Sequence, residues 1–185
     1  LTIGAPGLEV DGEARRVGLG KAFELAVVLE GARPHGVPRD RLVDELFGGS
    51  ADGANYLRQA LHRLRRVLPA GVTVCARDGH VAWDPPDAVT SADREFEHAV
   101  ALGRRLLGAA RTACLARALE AVEGGPFMPH SEESGLVARR RYLDDLEADV
   151  RCEVARDATA AGRPAEALAG LTTRLERAPL PEDLW

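Results

Sequence analysis

Ala51–Leu68 reads ADGANYLRQALHRLRRVL. Ala54, Leu57, Leu61, Leu64 and Leu68 recur at spacings of three and four, which puts them on one stripe of a predicted amphipathic helix. Asn55, Arg58, Gln59, His62, Arg63 and Arg66 fall on the other faces. That outward set holds three guanidiniums, two amides and an imidazole. A guanidinium can fork onto a guanine edge and an amide onto an adenine edge. Immediately downstream, Val72–Trp83 (VTVCARDGHVAW) alternates apolar and polar residues around Asp78-Gly79. Asp-Gly is a strong hairpin signal, because the two-residue turn needs positive φ.

Working upstream, GKAFELAVVLE (Gly20–Glu30) predicts a helix striped by Phe23, Ala26, Val27 and Glu30, with Leu25 and Leu29 beside it and Gly31 and Pro34 as stops. Val37-Pro38 is expected to open a second helix, with proline in the first turn, where its missing N–H costs nothing. Asp40, Leu42, Val43, Leu46 and Phe47 continue that helix, and Gly48-Gly49-Ser50 ends it. Before both, Leu1–Val17 is strand-like, with Leu8, Val10 and Val17 apolar and a hairpin signal at Asp11-Gly12. Three short helices followed by a hairpin make the layout of a winged helix-turn-helix, placed at 1–88.

Working downstream, DPPDA (Asp84–Ala88) marks a boundary, since two prolines disfavour a continuing strand. Beyond it the pattern is helical. Ser91 is the expected N-cap of a helix carrying Asp93, Glu95, Phe96, Val100, Leu102 and Leu106. Thr112–Val122 is a second helix, and EGGPFMPHSEE (Glu123–Glu133) a loop. Leu136–Ala161 is a long helix with Leu136, Tyr142, Leu143, Leu146, Val150 and Val154 inside. Gly162-Arg163-Pro164 breaks it, Ala165–Ala178 forms another, and Glu182–Trp185 begins the next. The small-residue and leucine spacing of the last stretch is that of a tetratricopeptide-type helix pair. The expected fold class is therefore mainly α. An α+β winged helix-turn-helix at 1–88 precedes an all-α, tetratricopeptide-like domain at 89–185.

With 45% hydrophobic and 29% charged residues, the composition is that of a globular chain. The net charge of -5 excludes a wholly basic nucleic-acid coat, so any contact with DNA must come from a local patch. Cys75, Cys114 and Cys152 are odd in number and far apart, which gives neither a disulfide framework nor a zinc pattern and suits a reducing cytoplasm. No apolar run approaches the roughly 20 residues of a membrane span. The start at Leu1, without Met or a signal-peptide pattern, and the end at Trp185 suggest a piece of a longer polypeptide.

Within 1–88 there are 11 Lys and Arg against 12 Asp and Glu, a difference of -1. A near-neutral domain binds non-specific DNA weakly as a monomer, so useful affinity would need two protomers or a partner. Base reading is assigned to Arg58, Gln59, His62 and Arg63, and phosphate contact to Asn55 and Arg66. Arg65 is read as pairing with an acidic side chain inside the domain. Arg77 and His80, at the hairpin tip, would reach an adjacent groove or its phosphates. Lys21 and Arg39 lie at helix starts, which favour phosphate. The plain alternative for each is an exposed charge with no partner.

Enzyme readings fare poorly. GLGK (Gly18–Lys21) has Arg15 where a phosphate loop needs Gly, and Ala22 where it needs Ser or Thr. His130-Ser131-Glu132-Glu133 reads as a solvated loop rather than a metal site. Arg139-Arg140-Arg141 reads as an outer helix face pairing with Asp144 and Asp145 at i+4. No catalytic residue, metal ligand or cofactor is expected.

The order of GKAFELAVVLEG, GVPRDRLVDELF, ANYLRQALHRLRRVL and RDGHVAW resembles the OmpR-type winged helix of bacterial transcription regulators. SADREFEHAV, EGGPFMPHSEESGLVARRRYLDDLEADV and AAGRPAEALAGLTTRLERAPLPEDLW resemble the bacterial transcriptional activator domain. Together they resemble the antibiotic regulatory protein (SARP) family and its AfsR-like relatives. That resemblance implies a cytoplasmic transcriptional activator that binds direct repeats at a promoter as side-by-side protomers. The helical domain would contact a neighbouring protomer or RNA polymerase. The chain departs from the pattern at Leu46-Phe47, where Leu-Trp is usual, and at Gln59-Ala60, where β-branched or aromatic residues are common. The rival expectation is a protein-interaction or regulatory module of a larger signalling protein that does not itself bind DNA.

Overall fold

The computed structural model describes residues 7–10, 13–15 and 20–177. Among these the chain is mainly helical. Seven helices accompany a two-stranded sheet and a three-stranded antiparallel sheet. No helix is long and apolar enough to cross a membrane. The chain forms two compact units, Leu1–Ala92 with Gly125–Arg140, and Asp93–Gly124 with Arg141–Trp185. Residues 125–140, which a division at 88/89 assigns to the helical half, thus belong with the first unit.

The first unit opens with β1 (Leu8–Val10) and β2 (Glu13–Arg15), paired antiparallel as the Asp11-Gly12 signal predicts. The turn itself, like the expected strand residues 1–6 and 16–17, lies outside the described residues. α1 (Lys21–Gly31) buries Phe23, Leu25, Ala26, Val27 and Leu29. Val37-Pro38 is not a helix start but a short strand, β3, paired with the hairpin through Val37↔Val81 and Pro38↔His80. The reason is local. Proline pushes the preceding residue toward extended backbone, and Pro38 itself sits at φ -54, ψ 137. At a sheet edge its missing N–H breaks no ladder. α2 (Arg39–Phe47) follows and ends on Gly48 at φ 62, a left-handed cap that glycine adopts without strain.

α3 (Gly53–Arg65) is shorter than the expected 51–68, and its seam begins one residue earlier. Gly53 is buried and Ala54 exposed, and Leu57, Ala60, Leu61 and Leu64 continue the buried stripe. Gly53 is required there, because a Cβ on it would lie 2.6 Å from Val43 Cγ1. β4 (Thr73–Arg77) and β5 (His80–Asp84) form the predicted hairpin, with Asp78 at φ 50 and Gly79 at φ 76. The sheet order is β3-β5-β4, and Val74, Val81 and Trp83 bury its inner face. Truncating Leu57 or Leu64, both fully buried, would cost about 2–5 kcal/mol.

The second unit holds α4 (Ala92–Gly103), α5 (Gly108–Glu120), most of α6 (Ser134–Ala160) and α7 (Pro164–Arg177). α4 carries Asp93 and Glu95 in its first turn as expected, but the buried Ser91 hydroxyl has no hydrogen-bond partner. Leu106 lies past the helix end, and Leu102 is exposed. Phe96, Val100, Leu115, Leu119 and Val150 are buried, and Ala155, Ala158, Ala167 and Leu171 pack together where α6 meets α7. Tyr142 is exposed, not inside. Arg151 takes a buried place instead, with its Nε 2.8 Å from Glu147 Oε1. The expected helix start at Glu182–Trp185 lies outside the described residues.

Two polar clusters also differ from expectation. Ser131 and Glu133 are buried rather than solvated. The Glu133 carboxylate accepts from the backbone N–H of Gly135 (2.9 Å) and Leu136 (2.8 Å), so it caps α6. Arg140 does not face outward. It donates to the carbonyls of Phe127 (2.7 Å), Ser131 (2.9 Å) and Met128, stitching the Gly/Pro-rich loop to the helix start.

Candidate nucleic-acid interface

α3 presents its polar face to solvent. At about 100° per residue, Asn55, Gln59, His62 and Arg66 fall within about 60° of arc, with Arg58 and Arg63 about 70° to either side. Arg66 is the C-cap but keeps helical dihedrals, φ -70 and ψ -20, so it extends the same line. All six side chains are exposed, and none has a hydrogen-bond or ion-pair partner among the described residues. Two amides, an imidazole and the Arg66 guanidinium therefore form a central strip, flanked by Arg58 and Arg63.

Local sequence explains why these groups are unmatched. Residues 53–77 contain Arg58, Arg63, Arg65, Arg66 and Arg77 and no Asp or Glu. Two other arginines of the unit are engaged. Arg33 pairs with Glu30 at 3.1 Å and donates to the carbonyls of Pro86 (3.2 Å) and Val89. Arg41 pairs with Glu45 at 2.6 Å.

Arg65 is the exception on α3. Its Nε and Nη2 donate to the Val74 carbonyl at 2.9 and 2.6 Å, tying the helix to β4. The acidic partner expected for it is absent, and a strand carbonyl takes that role.

The β4–β5 hairpin, which takes the place of the wing in the expected layout, is electrostatically mixed. Arg77 Nη2 lies 3.3 Å from Asp84 Oδ2, and His80 Nδ1 lies 3.2 Å from the Asp78 carbonyl oxygen. Cys75 donates its thiol proton to the same Asp84 oxygen at 3.2 Å. Chiefly through that hydrogen bond, Asp84 pushes the Cys75 thiol pKa above its ordinary value, which disfavours the thiolate. Arg39 joins the wing. The Pro38↔His80 register brings it to the turn, where its backbone N–H donates to the Gly79 carbonyl at 2.8 Å. Its exposed side chain has no partner among the described residues. Lys21 is matched on its own helix, 2.7 Å from Glu24.

One exposed residue of α3 escaped the sequence reading. Tyr56 is 46% exposed, and its ring centroid lies 6.1 Å from that of Phe47. The signal was available, since Tyr56 falls about 20° from Arg63 around the helix. No group of three or more His, Cys, Asp or Glu among the described residues could hold a metal ion. No protein-family model matches this chain, and no curated protein matches it either.

Proposed function

We propose that this chain is a sequence-specific DNA-binding transcription regulator that acts as an activator in the bacterial cytoplasm. α3 enters the major groove, where Arg58, Gln59, His62 and Arg63 read base edges and Asn55 and Arg66 hold phosphates. Arg39 and His80, at the wing tip, hold the flanking backbone. Protomers sit side by side on direct repeats at a promoter, and the helical second unit contacts a neighbouring protomer or RNA polymerase. The observation that carries this reading is the face of α3, on which three arginines, two amides and a histidine stand exposed without internal partners. A stretch without carboxylates leaves those charges available to an anionic partner.

A second reading has its own support. The 1–88 region has a formal charge of -1, from 11 cations and 12 anions, and the wing arginine is already paired with Asp84. Both features suit a winged-helix module that binds proteins inside a larger signalling chain. Fluorescence anisotropy against a pool of random duplexes separates the two, at low and at physiological salt, beside an Arg58→Ala/Arg63→Ala variant. DNA binding predicts salt-sensitive association that collapses in the variant. No association at low salt would overturn it in favour of the protein-binding module.

A further inference from the structure

The outer face of the wing carries Thr73, Cys75 and Arg77 on β4, opposite Asp84, Ala82 and His80 on β5. Arg77 is in register with His80 beside the turn, whereas Asp84 lies at the far end of the hairpin, opposite Thr73. The Arg77 guanidinium nevertheless reaches Asp84, so the side chain lies back along the sheet instead of projecting past the tip. The Asp84 oxygen that holds it also accepts from Cys75, so one carboxylate gathers two donors from the neighbouring strand. The side chains of Arg77 and Asp84 are 76% and 44% exposed, so water and a competing anion reach both. An exposed pair of this kind is weak, and a phosphate of suitable placement displaces it.

We propose that Asp84 withholds Arg77 from non-specific DNA, making Asp84 a specificity-determining residue. This rests on the DNA-binding reading above. On an arbitrary duplex Arg77 stays on Asp84, and α3 with the wing tip supplies the contacts. Only a site that lays a phosphate along the wing's outer face draws Arg77 away. The carboxylate thereby lowers background binding without touching a base.

The test is a double-mutant cycle, with anisotropy on a random-sequence duplex read across a salt series. The proteins are wild type, Arg77→Ala, Asp84→Asn and Arg77→Ala/Asp84→Asn, with Arg58→Ala/Arg63→Ala as the control for the DNA reading itself. Arg77→Ala alone should leave affinity and salt slope as in wild type. Asp84→Asn should bind about two- to fivefold tighter, with a log–log salt slope steeper by about 0.9, one extra phosphate contact. The gain should vanish in the double variant. Suppose instead that wild type binds through Arg58 and Arg63 but Asp84→Asn gains nothing, or gains equally without Arg77. Then Asp84 does not restrain Arg77 and the inference falls, with the DNA reading intact. If none of the proteins binds at low salt, the DNA reading falls and takes this inference with it. Equal urea midpoints across the set would confine the differences to DNA.

Discussion

α3 and α6 are both arginine-rich, yet Arg58 and Arg63 on α3 stand in opposite situations to Arg140 and Arg151 on α6. On α3 and its cap, Arg58, Arg63 and Arg66 have no internal partner, because no carboxylate occurs between Asp52 and Asp78. On α6, Arg140 is fixed on three loop carbonyls and Arg151 on Glu147. α6 also supplies Glu153 and Asp157 to arginines from elsewhere in the second unit: Arg104 lies 2.7 Å from Glu153, and Arg111 binds both carboxylates. An arginine run therefore says little until its acceptors are known. Guanidiniums that hold the fold thus differ from guanidiniums with no partner among the described residues.

The largest expected effect tests the α3 side. Arg58→Ala/Arg63→Ala should weaken DNA binding by about 3 kcal/mol, roughly a hundredfold, since each base-contacting arginine contributes about 1–3 kcal/mol. The same variant should keep the wild-type urea midpoint, because neither side chain bonds to the rest of the protein. A large loss of stability in this variant would break the comparison.

Next comes the α6 side. Arg140→Ala should lower unfolding stability by about 2 kcal/mol, because it leaves buried loop carbonyls without their charged donor. Urea denaturation measures it. Direct DNA contact is not expected of Arg140, so the salt slope of binding should stay unchanged.

Arg65 sharpens the contrast from inside α3 itself. It is exposed and basic like its neighbours, but both its Nε and Nη2 are on the Val74 carbonyl. Arg65→Ala should behave like an α6 arginine, costing about 1 kcal/mol of stability and leaving the salt slope of DNA binding as it was. A flatter slope, by about one phosphate contact, would move Arg65 into the DNA-facing set.

The sequence carries these two classes unequally. Periodicity finds every helix of the first unit and the polar face of α3, since a 3.6-residue repeat exposes the same side chains in any context. Asp78-Gly79 locates the wing because the turn's backbone demands it. β3 is not legible, since two residues have no period and Val37-Pro38 matches a helix start as well as an edge strand. The seating of Gly53 is not legible either, because the constraint comes from Val43, ten residues away on another helix. Partners of Arg65, Arg77 and Arg140 could not be read, because their acceptors are backbone carbonyls or a carboxylate brought near only by the fold. Exposure on a helix is local information, whereas engagement of a charge is tertiary.

The smallest effect is chemical and probes the wing pair without DNA. Asp84 raises the Cys75 thiol pKa first by accepting its hydrogen bond, while the nearby Arg77 and Arg65 charges act the other way. A folded pKa above the unfolded value means that the thiol's contribution to stability is present below the unfolded pKa. It is lost as pH rises through the folded one. Thiolate is the reactive form, so in mildly alkaline buffer iodoacetamide should alkylate Cys75 faster in Asp84→Asn than in wild type. Arg77→Ala should shift it the other way, toward slower reaction, since a cation favouring thiolate is gone. Exposed Cys152, on α6, serves as the internal reference for both, with rates read by mass spectrometry of the alkylated peptides. Opposite shifts place Asp84 and Arg77 together at the sulfur, which is the geometry the wing restraint requires. If Cys75 reacts at one rate in all three proteins, Asp84 is not held over β4, and the anchor for Arg77 goes with it.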